Sequence, residues 1–374
     1  MTSTANASSV FEQIGVKSVI NARGNNTVLG GTTPSATVHR AMQEAERYYV
    51  DMQQLLERSG QAIARMLECE AAYVTPGAAA AMALGTAACM AGADPEKIQR
   101  LPDTSGMPNT VLIQRGHRYH YQRAVTVSGA RLREVEASEL ESELGPEVAA
   151  VLFPAHLNGA ADTLPLPRVI ELAHARKIPV IVDAAGRVYP IERFKSYTKM
   201  GADLVAYGAK YLGALNASGI LCGRADLVSA AALDGFIAFE TDAWERSWGR
   251  PLKVDRQTIV AVVAALREWL DTDHTARLAG YERRLNAIAD ELRGAAGVQL
   301  SIREDEGPAP RVLRLDIDAA AARHSVPQIV DALWSGSPAI AVGRDGDRAI
   351  TINPVTFQEQ DDGLIAGRLG NLLL

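Results

Sequence analysis

Three short stretches of this chain carry residues that can do chemistry together. The first is Thr75-Pro-Gly-Ala-Ala-Ala-Ala81, set between an apolar run and a helical pattern. Small side chains let the backbone approach an anion there, and a helix starting at Gly77, Ala78 and Ala79 offers free N–H donors and a positive dipole end. The second is Ile178-Pro-Val-Ile-Val-Asp-Ala-Ala185, in which Asp183 ends an apolar strand. A carboxylate at the C-terminal edge of a parallel sheet stands where such folds bind ligands. Beside a pyridine ring, its charge would keep the ring nitrogen protonated and the ring electron-withdrawing. The third is Ala202-Asp-Leu-Val-Ala-Tyr-Gly-Ala-Lys210, where a strand meets a small-residue turn and then a lysine. A lysine amine whose pKa is lowered by burial or neighbouring cations can attack an aldehyde.

Singly, each stretch has a plainer use: a turn, a helix cap, a surface lysine. Their order is the signal, and it requires a frame that brings the three to one sheet edge. Apolar runs at 71–75, 110–114, 131–135, 148–153, 178–182, 204–207 and 219–222 alternate with helical patterns such as 78–91 and 166–176. Buried runs separated by helices predict a largely parallel sheet covered on both faces. A long helix is predicted from about 36 to 67, capped by Ser35, and a loop over 92–109. Beyond 250 the rhythm changes to a long helical region over 255–294, then strands at 298–302, 311–317, 339–342 and 349–352. Helices follow at 326–334 and from about 360. The expected organisation is an N-terminal arm (1–35), an α/β large domain (36–249) and a smaller α+β C-terminal domain (250–374).

The order phosphate turn, strand-end acid, strand-end lysine resembles that of fold type I pyridoxal 5′-phosphate (PLP) enzymes, of the aspartate aminotransferase-like fold. More specifically, the chain resembles the selenocysteine synthase-like family, and within it the D-glucosaminate-6-phosphate ammonia-lyase branch. The matching text runs through most of the chain. It includes Val19-Ile-Asn-Ala22, Val28-Leu-Gly-Gly31, Leu101-Pro-Asp-Thr104, Ile113-Gln-Arg-Gly-His117, Val182-Asp183, Gly208-Ala-Lys210, Gly249-Arg-Pro-Leu-Lys-Val254 and Ile352-Asn-Pro354. The resemblance implies that Lys210 holds PLP as a Schiff base, that Asp183 pairs with the pyridine nitrogen, and that Gly77, Ala78 and Ala79 receive the phosphate. It places His117 at the ring-stacking position, with His120 as competitor. Ser218 and Gly219 match a stretch that reaches a neighbouring subunit's phosphate in related folds, which implies a homo-oligomer, a dimer at minimum. Arg23, Arg250, Lys253 and Arg344 are candidate clamps for substrate anions. Two departures fall near the expected pocket: Gly213-Ala-Leu-Asn216 where the family usually reads Gly-Pro-Gln, and Arg23 where it often has Ser or Thr.

The bulk numbers narrow the function classes. The 374 residues carry a net charge of −6 with 47% hydrophobic residues, which suits an ordinary globular core and not a phosphate-neutralising nucleic-acid binder. A dinucleotide site would need G-x-G-x-x-G after the first strand, and that pattern is missing. Cys69, Cys89 and Cys222 lack metal-ligand spacing, and His117-x-x-His120 has no third partner at useful spacing, so no metal is expected. Without an apolar run of membrane length or a signal-peptide pattern at the N-terminus, the expected location is the cytoplasm. The expected activity is bond breaking at the α-carbon of an amino acid or amino sugar acid, most simply β-elimination with deamination. Racemase, aldolase, aminotransferase and, from another class, tRNA-linked transferase activities are the alternatives.

Overall fold

The computed structural model describes residues 9–241, 248–304 and 307–374. In chain order the strands are β1 (Val19–Ala22), β2 (Ala71–Thr75), β3 (Thr110–Gln114), β4 (Arg131–Val135), β5 (Val148–Pro154), β6 (Val180–Asp183), β7 (Leu204–Gly208), β8 (Gly219–Gly223), β9 (Val298–Glu304), β10 (Arg311–Ile317), β11 (Ala339–Asp345) and β12 (Ala349–Ile352). The chain divides into two compact units, one spanning Thr32–Thr272 and the other joining the residues up to Gly31 with Asp273–Leu374.

The larger unit is built on a seven-stranded sheet in the order β2-β8-β7-β6-β5-β3-β4. Strands β3 through β7 run parallel with β4, while β8 is antiparallel to both of its neighbours. Strands β3, β5, β6, β7 and β8 are buried along their whole length. That is why their text is continuous Val, Ile, Leu and Ala with no polar alternation. The edge strand β4 alternates exposed Arg131 and Arg133 with more buried residues, as an edge with one solvated face should.

Helix Ala78–Ala91 lies against the middle of this sheet and is buried nearly all round. Its Ala and Gly content follows from that closeness. A Cβ added at Gly85 would stand 3.0 Å from Leu204 Cδ1.

The predicted helix over 36–67 is two helices, Ala36–Glu46 and Met52–Leu67. Asp51 accepts the Gln54 N–H at 3.0 Å, and that side-chain cap starts a new helix where the pattern suggested continuity. Ser35 caps the first helix through Val38 N–H. The expected loop over 92–109 contains helix Pro95–Arg100, opened by Asp94 as cap and proline in the first turn. The helical region over 255–294 likewise splits into Arg256–Asp271 and His274–Glu291, with Asp273 capping the second.

The smaller unit carries a five-stranded sheet in the order β1-β11-β12-β10-β9. Here the sequence-based division needs two corrections. Residues 19–22 do not belong to an arm: β1 pairs in parallel with β11, Val19 opposite Ala339. The boundary falls at 272/273, not near 250, because helix Arg256–Asp271 buries Ile259, Val262, Leu266 and Trp269 in the larger unit's core. Trp269 Nε1 donates to Val188 O at 3.0 Å.

Helix Met52–Leu67 meets β2 at Gly60, where an added Cβ would fall 2.2 Å from Ala72 O. Gly60→Ala is expected to destabilise the protein by about 1–3 kcal/mol through overpacking against backbone. Urea unfolding followed by circular dichroism checks this, and an unchanged midpoint would contradict the packing described.

Candidate active site

Strand register brings the three sequence stretches to one edge. Thr75 on β2 pairs with Gly219 on β8, and Gly219 pairs with Gly208 on β7. Asp183 on β6 pairs with Ala206 on β7. The turn after Thr75, the turn carrying Lys210 and the Asp183 carboxylate therefore leave the sheet on the same side. β6 and β7 are neighbours, about 4.8 Å apart, and β2 lies two such spacings from β7, across β8.

Gly77 starts helix Ala78–Ala91 with φ +134 and no side-chain cap, so the first-turn N–H groups have no intrahelical acceptor. In front of Gly77 the space is open, since an added Cβ there meets nothing within 4 Å. Behind it, a Cβ on Gly219 would stand 2.5 Å from the Gly77 carbonyl carbon and 2.8 Å from Ala78 N. Gly219 is the floor of the turn, and only glycine lets β8 pass so close. Thr75 Oγ1 donates to Gly77 O at 3.0 Å and fixes the turn from below. The result is an open backbone cradle of anion-binding type.

Asp183 is buried, at 4% exposure. One carboxylate oxygen accepts the Ala185 N–H at 3.1 Å and the other accepts the Tyr119 hydroxyl at 2.6 Å. Burial pushes its pKa up, while the Tyr119 hydroxyl, the Ala185 N–H and nearby His156 oppose that rise. Lys210 lies in the 3₁₀ turn Ala209–Leu212 directly after β7, its Nζ 5.2 Å from the Tyr211 ring centroid. Burial lowers its pKa, which raises the fraction of neutral, nucleophilic amine. An open anion cradle, a buried carboxylate and an amine biased toward neutrality on one sheet edge are the groups that a phosphorylated pyridine aldehyde needs.

His117 and His120, the two expected ring-stacking candidates, lie in different surroundings. The His117 ring is fully buried, edge-on to Phe153 at 4.7 Å, with Nδ1 3.3 Å from Gln114 Nε2. Burial takes its pKa down to about 4. His120 is exposed. The aromatic group hydrogen-bonded to Asp183 is Tyr119, which hydrophobic patterning did not single out. The signal lay in the same segment, two residues past His117.

Ser218 is buried within its own chain and its hydroxyl donates to Leu215 O at 2.6 Å. Arg250 lies 5.4 Å from the Phe239 ring centroid and 3.9 Å from a Glu240 carboxylate oxygen, and Lys253 is exposed. Arg23 and Arg344 belong to the smaller unit and are exposed. Arg344 is held there by Gly346 O and Asp347. Arg187, four residues past Asp183, is a buried cation that sequence reading passed over.

The chain matches the aminotransferase class-V family over residues 32–292. It belongs to that family. It is 32% identical to a Streptomyces 5′-C-glycyluridine monooxygenase-decarboxylase, over 97% of this chain and 92% of the relative. It is 28% identical to the D-glucosaminate-6-phosphate ammonia lyase of Salmonella typhimurium, over 96% of each. A solved D-glucosaminate-6-phosphate ammonia-lyase structure superposes with a TM-score of 0.83 at 27% identity, covering 98% of both chains. A matching L-seryl-tRNA(Sec) selenium transferase of Nitratidesulfovibrio vulgaris covers 54% of this chain, at 27% identity. An aspartate aminotransferase from Thermotoga maritima shares the fold, with a TM-score of 0.53 at 15% identity. The protein is a PLP-dependent enzyme of fold type I.

Gly219→Ala is expected to displace the Gly77–Ala78 peptide. It should weaken PLP binding roughly ten-fold or more, about 1.4 kcal/mol, while the far-ultraviolet spectrum stays that of a folded chain. PLP titration followed by fluorescence reads the loss. Wild-type affinity would show that the turn tolerates displacement.

Proposed function

We propose that this class-V enzyme removes the α-proton of an amino acid or amino sugar acid and then expels a β-substituent, releasing ammonia and a 2-oxo acid. The observation that carries the reading is the placement of Lys210 and Asp183 at the ends of adjacent parallel strands, with the Gly77 cradle on the same edge. Bound there, PLP supplies a sink for the electrons left at the α-carbon when a bond to it breaks. The first-turn N–H groups at Gly77, Ala78 and Ala79 would hold the phosphate. Asp183 would keep the ring nitrogen protonated, and Lys210 would hold the cofactor through its carbonyl carbon. Lys210 is also the base placed to carry the α-proton, since burial favours its neutral form. For a substrate anion we assign Arg250 and Lys253, to which buried Arg187 is added. Full-length similarity to the ammonia lyase supports elimination over racemisation, aldol cleavage or transamination. A tRNA-linked transfer is disfavoured by net charge −6. The working form proposed is a cytoplasmic homo-oligomer, a dimer at minimum, consistent with the preference of soluble enzymes for two-fold assembly.

A second reading has its own observation. The 32% identity to a monooxygenase-decarboxylase spans nearly the whole chain, and the same site would serve loss of an α-carboxylate with oxygen as the oxidant. The purified protein should absorb in the visible, and borohydride should fix the cofactor on Lys210. A label on another lysine would end both readings. D- and L-amino acids, phosphorylated amino sugar acids and glycyl nucleosides are then screened. Ammonia and 2-oxo acid formed without oxygen uptake support elimination. Oxygen consumption with carbon dioxide release selects oxidative decarboxylation and overturns it.

Asp183→Asn is expected to lose most turnover while the cofactor-free chain becomes no less stable at neutral pH. A raised folded-state carboxylate pKa means that ionised Asp183 costs stability above that pKa, and the cost fades as pH falls through it. Thermal unfolding of both chains at pH 5 and pH 8 checks the sign: the variant should compare better at pH 8 than at pH 5.

A further inference from the structure

We propose that Tyr119 is a positioning residue that keeps the Asp183 carboxylate ionised, and so decides on which atom the proton between Asp183 and the cofactor's ring nitrogen resides. This rests on the reading that Asp183 faces that nitrogen.

The geometry is specific. A buried carboxylate is stable as an anion only when donors satisfy it. Among the described residues no lysine or arginine forms an ion pair with Asp183. Its hydrogen-bond donors are the Ala185 N–H at 3.1 Å and the Tyr119 hydroxyl at 2.6 Å. The second distance is that of a charge-assisted O–H···O⁻ bond, about twice as strong as a neutral one. Ala185 is fixed by the backbone. Tyr119 is the side chain through which the carboxylate can be tuned.

Tyr119 is itself held in place. Its backbone N–H donates to Gln122 Oε1 at 3.0 Å, and Gln122 Nε2 donates to Glu134 at 3.3 Å. Its hydroxyl lies 3.5 Å from Met82 Sδ on helix Ala78–Ala91, and its ring meets the edge of His156 at 5.0 Å. Burial and the Asp183 charge push the Tyr119 pKa far upward, so its hydroxyl stays a donor. The other titratable groups with electrostatic reach to Asp183 are His156, on the turn after β5, and Tyr211, after β7.

Deleting the Tyr119 hydroxyl raises the proton affinity of a buried carboxylate. The proton then moves from the ring nitrogen to Asp183, leaving two neutral partners and a weaker electron sink. A hydrogen bond to a charged group shifts such an equilibrium roughly ten- to hundred-fold.

The holoenzyme reconstituted with PLP carrying ¹⁵N in the ring tests this by nitrogen NMR, with no substrate required. Wild type should give the resonance of a protonated ring nitrogen. Tyr119→Phe should move it toward the unprotonated position, while borohydride still traps the cofactor on Lys210. Tyr119→His, which can return a donor, should move it less than Tyr119→Phe does. Equal resonances in wild type and Tyr119→Phe would overturn the proposal, as would equal displacement in the Phe and His variants. A label trapped on another lysine would instead sink the functional reading, so the two failures are distinguishable.

Discussion

The site depends on keeping one negative charge inside the protein. Asp183 is buried at the end of β6, where an isolated carboxylate would take up a proton. Its environment is arranged to resist that, with the Ala185 N–H on one oxygen and the Tyr119 hydroxyl on the other. The same burial that threatens Asp183 also lowers the pKa of Lys210. One low-dielectric sheet edge thus sets the two groups against their usual states, as sites for acid–base and nucleophilic chemistry do.

A sheet edge serves this purpose because backbone hydrogen bonding fixes the spacing of whatever leaves it. The antiparallel strand β8 has a particular part. It runs between β2 and β7, and its first residue must be glycine to pass beneath the Gly77–Ala78 peptide. The Gly77 turn and the lysine turn are tied through that one strand, so their separation is fixed by strand pairing.

Membership of the class-V family and similarity to two relatives of different reaction type, a lyase and a monooxygenase-decarboxylase, fit a common physical picture. The cofactor makes several bonds to the α-carbon breakable. Which one breaks is decided by the groups around it. Gly213-Ala-Leu-Asn216 follows the lysine turn, and Asn216 Oδ1 is buried there with no hydrogen-bond partner among the described residues. Arg187 is a buried cation in the loop after Asp183.

The text itself determined the sheet. The seven apolar runs of the larger unit match its strands to within about two residues, because strands buried on both faces must be uniformly apolar. Gly77, Asp183 and Lys210 were legible for a related reason: each occupies a fixed place relative to a strand end. Helix breaks were not legible, since a capping aspartate such as Asp51 or Asp273 interrupts a helix without interrupting its apolar period. The place of Val19–Ala22 depended on pairing with β11, a partner over three hundred residues away. Only the tertiary structure could place the rings of His117 and Tyr119. Both stand in one short segment after β3, and the backbone turns there so that His117 packs against Phe153 while Tyr119 reaches Asp183. Side-chain direction in an irregular segment follows from what surrounds it, and no periodicity in the sequence encodes that.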